Sequence, residues 1–566
     1  MVALPQDLAG RIPWPTTDPS TAAAPAPRQA LSARIRMRDG VELAAHVYLP
    51  AIAKHQAVPT VLTRLPYDKG GRYTFLDQIA NHFTAHGFAV VVQDVRGKFE
   101  SQGELLPFKN EPDDGYDTIE WVAQQEWSNE SVGMYGDSYY GFTQWAAVSR
   151  RHPALKAIVP QVTSSDLFIY FGTKQMPRLP FFEWFAQTYA HPFLSFEPFS
   201  SRLPKPAYHP PAGYEAAMDT ARALAAAVDD GSFVAELYPD GWPAETLSIP
   251  ALHQSGWYDN CLEGQLREWQ RVTDAPAAAH QFLRIYSTDH ESFPWREAGV
   301  PLDNHETDDD AATTHLHEYM PEVISFLDHY LNDRGGRWSA PTVRFTTTNG
   351  HAHVSDQWPP AQVRPVSLTL SDFGSSLQDR GRLSGLTDDA AAPVDDSITW
   401  THDPSTPVPF LPESEFGQCA DLPDESYLHG RDDVAVFDSP PVGARVDLCG
   451  AVSFTATIDA SSAGTHVVAR LLDLYPSGEA RVITYGAATA DTSGGPATIS
   501  VPMMATAYRI RPGHSLRLAV SSSCFPLYPV HPGHDGDVWN LEGATATRQT
   551  LSTNIEHPSK VDLHVL

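Results

Sequence analysis

Residues 132–141 read Val132-Gly133-Met134-Tyr135-Gly136-Asp137-Ser138-Tyr139-Tyr140-Gly141, and this stretch decides the fold. Val132–Tyr135 is a short strand-like run, and a helical pattern follows at once over Gly141–Ser149. A serine held between the two sits on a tight strand-to-helix turn that lifts its hydroxyl clear of a sheet. Small residues on either side let the backbone make that turn, and the helix N-terminus behind it favours negative charge developing on a substrate. The generic motif is G-x-S-x-G; here Tyr140 stands where the second glycine would be, and Gly141 follows one position later. Ser138 is the candidate nucleophile.

Outward from this turn the chain alternates. Apolar runs at Val61–Leu65, Phe88–Val92 and Leu155–Val159 are separated by amphipathic stretches at Phe75–His86 and Tyr116–Gln125. Apolar strands divided by amphipathic helices predict a parallel sheet covered on both faces, an α/β domain. The rhythm stops over residues 164–244, which are rich in aromatics, Pro and Ala, with a helix expected at Tyr214–Val228; this reads as an inserted helical cap. It resumes with strands at Ile249–His253 and Phe282–Tyr286 and helices near Glu263–Arg271 and Leu316–Leu331. After about residue 350 the period becomes two, as in Val366–Leu370, Val452–Ile458, Val467–Leu474 and Leu516–Ser521, which predicts a β-sandwich or jelly roll. An irregular Pro/Asp/Ser-rich stretch runs from about 375 to 435. The expected division is an extended arm (1–29), an α/β domain in two parts (30–163 and 245–348), the cap (164–244) and a β-domain (349–566).

Composition narrows the function classes. A chain of 566 residues is long enough for two or three domains, and 42% hydrophobic residues supply large cores. The formal charge of −30 repels nucleic acid and anionic membranes, so neither is an expected partner. Cys261, Cys419, Cys449 and Cys524 show no Cys-x-x-Cys spacing, which predicts neither disulfide framework nor zinc knuckle and points to a reduced compartment. The first thirty residues lack a basic start and apolar run, and no stretch approaches the roughly 18 apolar residues of a membrane span. A cytoplasmic location is the expectation, and homo-oligomerisation stays open.

A serine at neutral pH needs a base and an acid. Asp259 lies in Gly256-Trp257-Tyr258-Asp259 after one expected strand, and His290 in Ser287-Thr288-Asp289-His290 after another. Both stand just past strand C-termini, where the catalytic groups of open α/β sheets gather. Asp289 and Glu263 are rivals for the acid; chain order and strand position favour Asp259 with His290. The oxyanion requires donors, and the Tyr139 amide beside the nucleophile is the first. Tyr67, closing Arg64-Leu65-Pro66-Tyr67, carries a hydroxyl that could be the second, although a tyrosine after a strand more often packs. The His/Asp/Glu-rich stretch Asp289, His290, Glu291, His305, Glu306, Asp308–Asp310, His315 and His317 raises a metal hydrolase, but its spacing matches no zinc signature. No metal and no cofactor are expected.

Several ordered motifs together resemble the cocaine-esterase and X-Pro dipeptidyl-peptidase family of serine hydrolases, which includes α-amino-acid ester hydrolases and glutaryl-cephalosporin acylases. They are R-L-P-Y ending at Tyr67, D-V-R-G at Asp94–Gly97, S-Q-G-E at Ser101–Glu104, and G-M-Y-G-D-S-Y-Y-G ending at Gly141. G-W-Y-D ending at Asp259, D-H at His290, F-D-S-P-P at Phe437–Pro441 and V-S-S-S-C-F-P at Val520–Pro526 follow in order. The resemblance implies nucleophile Ser138, acid Asp259, base His290, and an oxyanion hole of Tyr67 and the Tyr139 amide. It implies an α/β fold: an α/β-hydrolase domain with an inserted helical cap and a C-terminal β-sandwich (jelly-roll) domain. Asp94 and Arg96 read as structural, a strand end and an internal ion pair. The implied reaction is cleavage of a small-molecule carboxylic ester or amide through an acyl-enzyme, with Xaa-Pro dipeptidyl-peptidase or α-amino-acid ester hydrolase/acylase activity as the alternative. A catalytically dead binding module is a third reading, opposed by the intact Ser138, Asp259 and His290. The cap is dense in rings (Phe168, Tyr170, Phe171, Phe181, Phe182, Trp184, Phe185), which suits an apolar acyl pocket or a packed cap core. Phe168, Phe171, Trp184 and Trp257 are the candidate substrate-binding residues, and Asp166 and Glu183 the candidate carboxylates for an amino group.

Overall fold

The computed structural model of the chain describes residues 30–71, 74–194, 213–275, 280–297, 299–386 and 394–566. The expected arm over 1–29, and residues 195–212 of the expected cap, lie outside the described residues.

The first ten strands form one sheet. They are β1 Leu31–Arg36, β2 Glu42–Tyr48, β3 Val58–Leu65, β4 Ala89–Asp94, β5 Ser128–Asp137, β6 Leu155–Gln161, β7 Ala251–Tyr258, β8 Gln281–Asp289, β9 Val343–Thr346 and β10 Ala352–Ser355. Their spatial order is β1-β2-β4-β3-β5-β6-β7-β8-β9-β10. Every pair from β4 to β9 is parallel, while β1, β2 and β10 add antiparallel edges. All residues of β3, β4 and β7 are buried, because helices cover both faces, and this explains the apolar runs within them. The edge strand β1 exposes most of its residues and has no comparable signature.

Strand ends set the site. β5 runs directly into the helix Ser138–Ser149, β7 ends at the residue before Asp259, and β8 ends at the residue before His290. β7 and β8 extend five and three residues beyond the expected Ile249–His253 and Phe282–Tyr286 ends. The added residues include Gln254 and Ser255, buried polar groups that hydrogen-bond Tyr286 and Asp259, so hydropathy alone stops short of them. The helix expected at Leu316–Leu331 starts earlier, at Asp309, where the Asp308 carboxylate caps the amides of Asp310 and Ala311.

Between β6 and β7 lie helices Phe168–Phe171, Leu179–Tyr189, Glu215–Asp229, Ser232–Leu237 and Pro243–Thr246. Lys98 reaches up from the D-V-R-G-K segment to donate its ammonium to the carbonyls of Thr188 and His191 at the end of Leu179–Tyr189. A cation is stabilised at a helix C-terminus, so this lysine pins the aromatic helix to the sheet. Asp94 and Arg96 are structural as expected, with different partners: Asp94 pairs with Lys69 at 2.7 Å, and Arg96 with Asp114 at 2.6 Å.

The remaining strands form a mainly antiparallel β-sandwich around Leu368, Leu448, Phe454, Leu471, Tyr508 and Leu518. Its longest antiparallel pairs are Val446–Ala460 with Ala497–Ile510, and Gly464–Leu474 with Ala480–Asp491, of which the second is a hairpin. The stretch 375–435 is less irregular than expected. It contains strands Gly381–Ser384 and Asp396–His402, whose Thr, Ser, Trp and His residues carry little hydropathy contrast. The segment after Asp396–His402 leaves the sandwich and reaches the α/β sheet at Phe416–Cys419.

Candidate active site

Ser138 is the first residue of its helix and has φ +52°, a left-handed conformation that a serine adopts only when its surroundings hold it there. Two glycines make this possible. Gly136 has φ +148°, and a Cβ on it would lie 2.2 Å from Tyr140 Cδ2; one on Gly141 would lie 2.6 Å from Thr163 Cγ2. The backbone thus needs glycine at 141, where the helix crosses Thr163, while position 140 accommodates a tyrosine ring packed edge-on to Tyr67.

His290 Nε2 lies 2.9 Å from Ser138 Oγ, and its Nδ1 lies 2.8 Å from Asp259 Oδ1. Asp259 is fully buried, and its other contacts are donors: Ser255 Oγ at 2.7 Å and the Cys261 amide at 2.9 Å. The rivals are engaged elsewhere. Asp289 accepts from the amides of Cys419 and Phe293, and Glu263 from the amide of Ala505. Burial disfavours the imidazolium of His290, but the hydrogen bonds to Asp259 and Cys261 outweigh it and hold its pKa well above the usual 6.5. Burial pushes the neighbouring Asp137 carboxyl up to about 7.

Tyr67 is buried with its hydroxyl on Ser138, and it accepts the Trp184 indole N–H at 2.9 Å. Burial raises its pKa, so it stays a protonated donor. Tyr139 lies in the first helical turn, where backbone amides have no helical acceptor. Its side chain is locked below the site: the hydroxyl donates to Glu111 at 2.9 Å, and Glu111 pairs with fully buried Arg64 at 2.8 Å.

Residues 39–290 match X-Pro dipeptidyl-peptidase (S15 family), and residues 337–562 match the X-Pro dipeptidyl-peptidase C-terminal non-catalytic domain. The chain belongs to this family. It is similar to the cocaine esterase of Rhodococcus sp. (strain MB1 Bresler), 27% identical over 585 residues that span 94% of this chain and 97% of that one. Two solved structures share the fold: an α-amino acid ester hydrolase (22% identity, TM-score 0.77, 98% of this chain and 100% of that one) and an aminopeptidase from a marine sediment Thaumarchaeota archaeon (20%, 0.74, 97% and 99%). Like other members of the cocaine-esterase and X-Pro dipeptidyl-peptidase family, this chain is a serine hydrolase of esters or amides.

A narrow pocket opens at Ser138 in this family member. It is lined by Phe108, Tyr139, Phe142, Tyr170, Phe181, Trp184, Asn260, Cys261, His290 and Phe416. Of the expected substrate-binding residues, Trp184 lies on it. Phe171 is buried in the cap against Phe181 and Phe182. Phe168 instead borders a separate hollow with Val234, Tyr238 and Trp242. Trp257 lies behind the sheet against Phe345 and Trp358, its indole N–H on the Thr346 carbonyl. Phe416 was not legible in sequence; it comes from the β-domain, and its ring stands 5.3 Å from that of His290. Asp166 pairs with Arg267 at 3.0 Å, and Glu183 accepts from Gln187; neither lines the pocket.

The His/Asp/Glu-rich stretch does not converge on a common point. Asp308 caps a helix, His315 stacks on His305, and His317 bonds the Thr313 carbonyl. Burial and the charges of Glu291 and Asp289 push Glu306 up to about 9, leaving it protonated at neutral pH. Among the described residues, the His/Cys/Asp/Glu side chains close enough to share an ion are Asp259, Cys261 and His290. No described helix is long and apolar enough to cross a membrane.

Proposed function

We propose that this serine hydrolase is an esterase for uncharged, apolar or aromatic acyl groups, with Ser138, His290 and Asp259 as its catalytic triad. The observation that carries this reading is the lining of the pocket at Ser138: seven aromatic side chains besides His290 and, among the described residues, no carboxylate. Ser138 Oγ attacks the carbonyl carbon while His290 Nε2 takes its proton, and Asp259 holds the imidazole tautomer and stabilises its cation. Tyr67 and the Tyr139 amide donate to the oxygen as it becomes negative. His290 then protonates the leaving alcohol, and water, activated by the same nitrogen, releases the acid from Ser138. The relative named cocaine esterase supports an ester as the substrate.

A peptidase that reads a free N-terminus must hold an ammonium, and a buried ammonium needs a carboxylate partner. Among the described residues that line the pocket none is a carboxylate, and Asn260 is a neutral amide. The test is kcat/KM on acyl p-nitrophenyl esters against Xaa-Pro anilides, with Ser138→Ala beside each. Fast ester turnover, silent anilides and loss of both in the variant are expected. Efficient Xaa-Pro cleavage would overturn the acyl-ester reading, and ester turnover surviving in Ser138→Ala would overturn the triad.

A further inference from the structure

Cys261 is a nucleophilic, metal-ligating group at the catalytic centre that the proposed ester cleavage leaves idle. It is buried, follows Asp259 by two residues, lines the pocket, and places Sγ 3.9 Å from His290 Nδ1. One ligand atom each from Asp259, Cys261 and His290 fall within 4.8 Å of one another. We propose that these three residues form an inhibitory site for a thiophilic divalent cation of the zinc class, which switches the enzyme off by capturing the triad histidine. The inference rests on the triad reading above.

Tetrahedral Zn²⁺ with ordinary Zn–N, Zn–O and Zn–S bonds holds its ligand atoms about 3.4–3.6 Å apart. The sulfur–nitrogen separation of 3.9 Å and the nitrogen–oxygen separation of 2.8 Å stand on either side of that value. Small side-chain shifts therefore convert the hydrogen-bonded pair and its neighbouring thiol into a three-ligand site. The Asn260 Oδ1, 3.5 Å from the sulfur, is placed to supply the fourth ligand. Mixed sulfur, nitrogen and carboxylate donors select Zn²⁺ or Cd²⁺ over Mg²⁺ and Ca²⁺, which take oxygen. The pocket touches both Cys261 and His290, so an ion enters by the substrate's route.

The proton balance explains the inhibition. The metal binds the thiolate, and the thiol proton leaves to solvent. It also binds Nδ1, whose proton is carried on Nε2 instead. An imidazole protonated on Nε2 donates to Ser138 Oγ and cannot accept its proton. Asp259, now a metal ligand, no longer orients the ring.

The test follows p-nitrophenyl acetate turnover by the full-length protein against Zn²⁺, Mg²⁺ and Ca²⁺, with and without EDTA, in the wild type, Cys261→Ala and Cys261→Ser. Zn²⁺ should inhibit the wild type reversibly, and Mg²⁺ and Ca²⁺ should not. Each Cys261 variant, normalised to its own metal-free rate, should need about 10- to 100-fold more Zn²⁺. In parallel, Cd²⁺ titration should give a thiolate charge-transfer band in the wild type and in Ser138→Ala that is missing in Cys261→Ala. Equal zinc sensitivity in the variants, or an active wild type indifferent to zinc, would overturn the site. A chain inactive on every ester that still shows the cadmium band would overturn the hydrolase reading and leave the metal site standing.

Discussion

Each of the groups around Ser138 is held by a partner one step further out. His290 is set by Asp259, Asp259 by Ser255 and the Cys261 amide, and Tyr67 by Trp184. Tyr67→Phe deletes a hydroxyl aimed at Ser138, so on the proposed mechanism its expected cost is about 10²–10³ in kcat with KM little changed; a near-wild-type kcat would remove Tyr67 from the proposed oxyanion hole. His290 must be neutral to accept the Ser138 proton, and its pKa is raised by Asp259 and Cys261. Activity should therefore fall on the acid side, with the kcat/KM limb above pH 6.5. Asp259→Asn should move that limb down and lower kcat by roughly 10⁴. An acid limb at or below 6.5 in the wild type would contradict the raised pKa. Ser138, Asp259, His290 and Tyr67 were legible as candidates because each closes or follows an apolar strand run. Choosing Asp259 over Asp289 and Glu263 took chain order, strand position and the family resemblance. Their hydrogen-bond partners separate the three in space: both rivals satisfy backbone amides.

Among the elements, two short segments contribute rings to the pocket. The helix Leu179–Tyr189, anchored at its C-terminus by Lys98, presents Phe181 and Trp184. The loop following the strand Asp396–His402 presents Phe416, its carbonyl accepting the Glu291 amide at 3.2 Å. A buried ring contributes about 1.5–3 kcal/mol, so Phe416→Ala should lower kcat/KM for a benzoyl ester by about 10- to 100-fold. Acetyl ester turnover should change far less, since a small acyl group does not fill that wall. An equal loss on both esters would show that Phe416 orders His290 rather than the acyl group. The aromatic density of the cap was visible in sequence, but ring counting cannot say which face of a four-residue helix looks inward. Phe171 and Tyr170 are neighbours in the chain; one packs in the cap core and the other borders the pocket.

At the scale of the molecule, the β-sandwich is joined to the α/β sheet through buried polar contacts as well as apolar ones. Gln418 donates to the Tyr258 carbonyl at 2.6 Å, and the Cys419 amide to Asp289 at 2.7 Å. Trp257, Tyr258 and Leu262 share a core with Cys449 and Ala507. Glu415, almost fully buried, pairs with Arg178 of the cap. Removing one partner of such a pair strands a charge, so Glu415→Ala should destabilise the protein by about 3–5 kcal/mol. Calorimetry should then show a lowered single transition, because the two layers share one core; two separated peaks in the wild type would contradict that coupling. The sequence by itself determined the element types, the parallel sheet, the change to a β-domain and the strand-end positions of the proposed nucleophile, acid and base. These are local properties, written in hydrophobic period and in turn chemistry. Only the tertiary structure decided that Phe416 from the β-domain meets His290, that Trp257 faces a core, and that Cys261 stands beside His290. Such contacts join residues distant in the chain, and no local pattern carries them.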